Sequence, residues 1–192
     1  MKRITSLIAI AAAVATTIMA CGKKTSSETT TKESVPKVLV AYFSATGNTK
    51  AAAEKIAGAT GAELFEIKPT EAYSAADLDW KDPSSRCCRE NDDPKVRPGF
   101  VKSKESLKDY DIIFLGFPIW WNGAPRIINT FVETYNLKGK RVVMFATSGG
   151  SGIEKSEKTF KGAYPDVEWE HGKLLNSMSG KAIGDWANGY LK

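Results

Sequence analysis

The sequence predicts an α/β domain: a parallel sheet with helices packed on both faces. Three observations carry that expectation. Continuous apolar runs stand at Val38–Phe43, Asp111–Gly116 and Arg141–Thr147, the pattern of strands covered on both sides. Each run ends in a loop rich in glycine, proline or hydroxyl residues. After the first run comes a helical pattern and then another strand pattern, a spacing that suits a right-handed crossover and so parallel neighbours.

The chain has 192 residues of 42% hydrophobic composition, enough for one medium domain with a real core. Its first twenty residues lie outside that domain. Lys2 and Arg3 make a charged start, Ile4–Ala20 is apolar and alanine-rich, and Cys21 follows Ile18-Met19-Ala20. This resembles a bacterial lipoprotein signal peptide, with Ile18 where leucine is usual. The resemblance implies removal of residues 1–20, lipidation of Cys21 and an extracytoplasmic domain anchored to a bacterial membrane. An uncleaved anchor is the other reading, but the apolar run is short for spanning. Residues 21–36 then comprise the lipidated cysteine and a flexible linker, whose Ser, Thr and Lys residues lack apolar periodicity. The folded domain is assigned to 37–192.

The formal charge is +5, from 27 basic and 22 acidic residues; without Lys2 and Arg3, 25 basic residues face those 22, a balance of +3. The lysines are dispersed and no arginine and aromatic platform accompanies them, so no nucleic-acid partner is expected. A single histidine, His171, and the lack of any spaced Cys/His set argue against a metal site. His171 also has no serine, cysteine or acidic partner nearby in sequence, which leaves hydrolysis unsupported. Cys87 and Cys88 are adjacent: they read either as a vicinal disulfide or redox pair, or as two loop thiols without a catalytic role.

Taken in order, Val38–Phe43 forms the first strand. Ser44, Ala45, Thr46, Gly47, Asn48 and Thr49 follow, supplying hydroxyls, an amide and a permissive glycine where the backbone turns into a helix. Amides at that helix start, helped by its dipole, make an anion site that fits a phosphate. No Lys or Arg lies inside the turn, unlike the GxxxxGK[ST] nucleotide loop. An ordinary hydroxyl-rich N-cap is the bland alternative. The helix spans Thr49–Gly58, with Gly58 as its stop, and Ala62–Ile67 is the second strand.

Residues 68–101 are too long for a plain connection and carry Pro69, Pro83, Pro94 and Pro98, so a structured loop is expected. Ser103–Tyr110 reads as a short helix before the strand Asp111–Gly116. Beyond it, Pro118, Ile119, Trp120, Trp121 and Asn122 place two indoles beside a tight Asn122-Gly123 turn, ahead of an amphipathic helix carrying Ile127, Ile128, Phe131, Val132 and Tyr135. Flat aromatic surface at a strand end suits stacking on a planar ring; two buried core tryptophans are the alternative. After Arg141–Thr147, the loop Thr147, Ser148, Gly149, Gly150, Ser151, Gly152 lets the backbone approach a planar ligand edge. Val167–His171 is expected as the fifth strand. Ala182–Leu191 is the closing helix, with Ile183, Trp186, Ala187 and Tyr190 on one face.

Ser44-Ala45-Thr46-Gly47-Asn48-Thr49 resembles the phosphate loop of the flavodoxin family, T/S-x-T-G-N-T directly after the first strand, at every defined position. The resemblance covers roughly Lys37 to Lys192. It implies a doubly wound, flavodoxin-like five-stranded parallel sheet in the order 2-1-3-4-5, with flavin mononucleotide (FMN) bound at the carboxyl ends of the strands. It places the flavin-stacking tryptophan at Trp120, with Trp121 where a small residue is common. The peptide after the stacking residue moves during flavin reduction in that family, and a large side chain there hinders the movement. The loop at Thr147–Gly152 is implied to cradle the ring's polar edge, but lacks the second stacking tyrosine often found there. The long segment is similar, at Tyr73, Asp77, Leu78, Trp80, Ser85, Arg86, Glu90, Arg97 and Pro98, to one bacterial branch of flavodoxin-like proteins. It reads either as a cover beside the flavin or as a surface loop pinned by Trp80 and an Arg86–Glu90 ion pair. The insert that splits the fifth strand of long-chain flavodoxins has no room here.

The implied function is electron transfer by an FMN-binding protein at a membrane, to a redox partner protein or a small-molecule acceptor. A mildly basic domain departs from the strongly acidic face usual in the family, which sets the usual docking partners aside. Two other functions fit: an NAD(P)H-dependent quinone or flavin reductase, and a surface module that keeps the fold without turnover.

Overall fold

The computed structural model describes residues 35–192. The expected signal peptide, Cys21 and nearly all of the expected linker therefore lie outside the described residues. Among those described, no helix is long and apolar enough to cross a membrane.

Five parallel strand positions build the sheet in the order 2-1-3-4-5, as expected. β1 (Val38–Tyr42) lies between β2 (Glu63–Glu66) and β3 (Ile112–Pro118), and β3 pairs in turn with β4 (Arg141–Thr147). All five residues of β1 are buried, and so are six of the seven in β3. Burial on both faces explains why these strands read as unbroken apolar runs and not as alternating ones. Reversal of strand order between β1 and β3 opens a crevice at their carboxyl ends.

Helix α1 (Asn48–Thr60) packs on one face with α5 (Gly180–Asn188), through Ala52, Ala53, Ile56 and Ala57 against Val40, Ile112 and Phe114. The opposite face is covered by α3 (Arg126–Tyr135), α4 (Glu154–Ala163) and the segment 68–101, in an aromatic core that includes Phe43, Phe65, Phe117, Phe131 and Phe160.

Several local expectations are corrected. Gly58 does not stop α1; the helix runs on to Thr60, and Gly61 caps it in the left-handed region at φ 68°. Ser103–Tyr110 contains no helix. Its Ser106 hydroxyl accepts from the Lys108 amide, and such local bonds compete with a helical ladder. The 68–101 segment holds an unexpected helix, α2 (Arg86–Asp92), which Ser85 caps by accepting from the Cys88 amide.

The fifth strand is not continuous across Val167–His171. Two short pieces, β5 (Glu168–Trp169) and β6 (Lys173–Leu174), both pair with β4. At Gly172 between them the chain presses so close to β4 that a Cβ would lie 2.8 Å from the Met144 carbonyl oxygen. Only glycine fits there, and the strand breaks around it. The closing helix starts at Gly180 and passes into a 3₁₀ turn, Gly189–Leu191.

Candidate functional site

Three loops meet at the carboxyl rim of the sheet. The first is the β1–α1 turn. Gly47 occupies the N-cap of α1 at φ 88° and no side chain caps the helix. Its amide donates to Ser44 Oγ, 3.1 Å away, which folds the turn back on itself. Among the described residues the amides of Asn48 and Thr49 have no protein acceptor, so they stay available to an anion at the positive end of the helix. Thr49 is buried, and its hydroxyl lies 2.8 Å from that of Thr147. One hydrogen bond thus ties the first loop to the third.

The second loop leaves β3 as a two-residue hairpin. Trp120 and Gly123 exchange both backbone hydrogen bonds, at 2.9 and 2.8 Å. The central residues are Trp121 and Asn122, at φ 46° and 63°. The tight turn is therefore Trp121-Asn122 with Gly123 closing it, rather than Asn122-Gly123. Two left-handed residues are what a type I′ turn requires. For a tryptophan that conformation costs on the order of 1 kcal/mol. Neither indole is a core residue, which corrects the buried-pair alternative: Trp120 is half-buried and Trp121 is 39% exposed.

The third loop is pinned to the chain after β6. Ser148 donates its amide to Asn176 Oδ1 at 2.7 Å, and Asn176 Nδ2 donates back to the Ser148 carbonyl. Ser148 Oγ accepts from the Gly150 and Ser151 amides at 3.1 and 2.8 Å. Those two amides are therefore spent within the loop and are not offered to a ligand. At Gly149 and Gly150 an added Cβ would meet nothing within 4 Å, so the loop borders open space.

Two adjoining cavities, of about 500 and 570 Å³, open between these loops. They share Thr46, Pro118, Ile119, Trp120, Ser148 and Gly149. Asn48 and Thr147 line the first, and Ala45, Trp121 and Gly150 the second. The remaining expected residues do not line either. Ser44, Gly47 and Thr49 shape the first turn from behind, Asn122 sits within the hairpin, and Gly152 lies beside the Glu154 carboxylate.

Sequence reasoning missed other lining residues. Lys55, two turns into α1, brings a cation to the first cavity, so the site is not without one; Asn176, Ser177 and Met178 approach from the chain after β6. Leu78 and Trp80, from the segment for which a cover beside the flavin is one of the two readings, enter the second cavity together with Cys87. That segment is thus a wall of the cleft and not merely a pinned surface loop. Trp80, 66% exposed, does not pin it, although the expected Arg86–Glu90 ion pair is present at 2.6 Å. Cys87 and Cys88 are free and buried, and stand on α2 rather than in a loop. Successive residues on a helix point about 100° apart, and burial raises the Cys87 thiol above its ordinary pKa. His171 stands exposed, away from the cleft, with its carbonyl accepting from the Tyr190 hydroxyl at 2.6 Å.

Comparison with known proteins agrees with this geometry. A flavodoxin family model matches residues 37–190. No functionally curated protein matches the chain. Among solved structures, a Bacteroides eggerthii protein provisionally assigned as a flavoprotein is 52% identical, covers 80% of this chain and 97% of its own, and superposes with a TM-score of 0.77. A similarly assigned Bacteroides uniformis protein is 48% identical, with coverages of 81% and 99% and the same score. A Lactobacillus acidophilus flavoprotein solved in complex with FMN is 26% identical, with coverages of 74% and 95% and a TM-score of 0.62. Sheet order, phosphate-type turn and family match together place this chain in the flavodoxin family.

Proposed function

We propose that this chain is an FMN-binding redox protein that transfers electrons while held at a membrane by lipid on Cys21. One observation carries the reading: the turns after β1, β3 and β4 converge on one cleft that is hydroxyl- and amide-lined at one end and indole-lined at the other. The residues fit the cofactor. An uncapped helix start with open amides, Thr46 and Lys55 suit a phosphate, and Trp120 with the open Gly149-Gly150 backbone suits a flat ring. The FMN complex of the Lactobacillus acidophilus relative supports the same assignment.

Bound FMN would supply the electron chemistry. The protein's part is to bind the phosphate at Thr46 and Asn48 and through the Thr49 backbone amide, to exclude water from the ring with Trp120 and Ile119, and to disfavour a reduced anionic ring by its apolar wall. A visible flavin spectrum in the purified protein, with quenching of FMN fluorescence on titration into apoprotein, is the expected result. A colourless protein that leaves FMN fluorescence unchanged overturns the reading and favours a module without turnover. Trp120→Ala should weaken FMN binding by about tenfold to a hundredfold, since stacking on an aromatic side chain is worth about 1–3 kcal/mol. For the anchor, Cys21→Ala should move the protein from the membrane fraction to the soluble one.

The reductase reading is favoured by one feature, the Trp121-Asn122 turn. Rotating the peptide between these residues would carry Trp121 into a backbone region open essentially only to glycine. A turn fixed in this way favours paired over single electron transfer. Rapid NADPH oxidation with a quinone acceptor would support this reading; two resolved one-electron steps in a redox titration would support the carrier.

A further inference from the structure

The long segment 68–101 contributes more to the cleft than a wall. Behind Trp120 lie Tyr73, Arg86 and Glu90. Tyr73 and Phe43 both meet Trp120 edge-on, with ring centroids 5.6 and 5.7 Å away and interplanar angles of 77° and 85°. Phe43 is fixed in the core under β1. Tyr73 lies outside any regular element, so something else must hold it. Glu90, buried on α2, accepts from the Tyr73 hydroxyl at 2.5 Å through one oxygen and from Arg86 Nε at 2.6 Å through the other. The Arg86 guanidinium also lies 4.0 Å from the centroid of the Tyr73 ring and donates to the Glu71 carbonyl at 2.9 Å. Arg126, at the start of α3, donates to the carbonyls of Glu90 and Asn91 at 3.1 and 2.8 Å, which anchors α2 to the sheet's helical cover.

A buried ion pair contributes little net stability over an apolar replacement, but it fixes geometry. Here the Glu90 carboxylate and the Arg86 guanidinium both hold Tyr73, which with Phe43 is one of two rings packed edge-on against Trp120. Burial and the Glu90 hydrogen bond push the Tyr73 phenol well above its ordinary pKa, so it stays a donor at any physiological pH.

We propose that Tyr73, Glu90 and Arg86 form a positioning unit for Trp120, one that fixes the indole on which the flavin stacks and thereby sets how tightly the flavin is held and at what potential it is reduced. This rests on the FMN reading given above. None of the three residues lines either cavity, so they act through the indole and not by contact.

The test compares wild type with Tyr73→Phe, which removes only the hydroxyl, and with Arg97→Ala, which frees the same segment elsewhere by breaking the Arg97–Glu133 pair. FMN dissociation constant, midpoint potential and thermal transition are measured for each. Tyr73→Phe should weaken FMN binding about tenfold and move the potential upward, toward that of free FMN, with a cooperative thermal transition retained. Arg97→Ala should leave affinity and potential as in wild type. Equal effects from the two variants overturn the proposal, because then any loosening of the segment suffices; so does a Tyr73→Phe protein with wild-type affinity and potential. If Tyr73→Phe fails to fold, Glu90→Gln, which preserves side-chain shape, carries the same comparison. Wild type that binds no FMN overturns the functional reading together with this one, whereas wild-type binding with an unaffected variant overturns this one alone.

Discussion

The two faces of the sheet are packed by different means. Helices α1 and α5 approach closely over small residues, Ala52, Ala53, Ala57 and Ala187, and a would-be Cβ at Gly184 lies only 2.9 Å from Ala59 Cβ. The opposite face is filled by aromatic rings in edge and tilted contact, among them Phe65 with Phe131 and Phe100 with Phe131. The cleft is the joint between them. Its amide end belongs to α1, on the small-residue face, and Trp120 continues the aromatic cluster of the other. A phosphate needs a backbone brought close, and a flat ring needs a rigid aromatic wall; each face provides one.

The largest expected effect lies on the aromatic face. Phe131→Ala, at a fully buried position, should cost about 4 kcal/mol of stability in urea unfolding, through lost burial and a cavity. A loss below about 2 kcal/mol would mean that this face repacks. On the other side, enlargement at a glycine should also hurt. Gly116 lies under the Phe145 ring, with a would-be Cβ 2.1 Å from the nearest ring atom, so Gly116→Ala should destabilise by about 3 kcal/mol. Unchanged stability there would show that the ring turns aside freely. Ala53→Gly, in the middle of α1, should cost only about 1–2 kcal/mol, the helix-propensity loss plus one buried methyl; hydrogen exchange along α1 would register it.

The smallest effect concerns the Arg97–Glu133 pair that ties the long segment to α3 at 2.8 Å. Both side chains are about one-third to two-fifths exposed, so Arg97→Ala should cost less than about 1 kcal/mol. Arg97 lowers the Glu133 pKa first and Tyr164 adds to it. A carboxylate with a lowered folded pKa stabilises the fold above its unfolded value, about 4.3, and loses that contribution as pH falls through the folded value. The difference between wild type and Arg97→Ala should therefore be full at pH 7 and vanish in acid. A difference that persists at pH 2 would mean that the pair acts through packing.

The sheet and the three loops were legible because their signals are local. A buried strand is a run of apolar residues, and a phosphate turn is a string of small hydroxylated ones. What stayed hidden depends on contacts distant in sequence. For the long segment the sequence leaves a cover and a surface loop as equal readings, because Leu78, Trp80 and Cys87 stand in an irregular pattern ordered by side-chain bonds such as Tyr73–Glu90 and by the bridge Pro69–Phe100. Lys55 looked like any helix lysine until the helix was laid against the cleft. The break in the outer strand follows from the approach of Gly172 to Met144, which no periodicity reports. Gly58 and Gly61 could not be ranked as helix stops by composition alone; the left-handed backbone at Gly61 decides it.

That interrupted outer strand has a further consequence for how copies of the molecule meet. Two fragments of two residues each, with Glu168 and Lys173 among them, present no unbroken row of amides and carbonyls for a neighbour to zip onto. Growth of the sheet from one molecule into the next is blocked along this margin, so the domain can be crowded without polymerising through it.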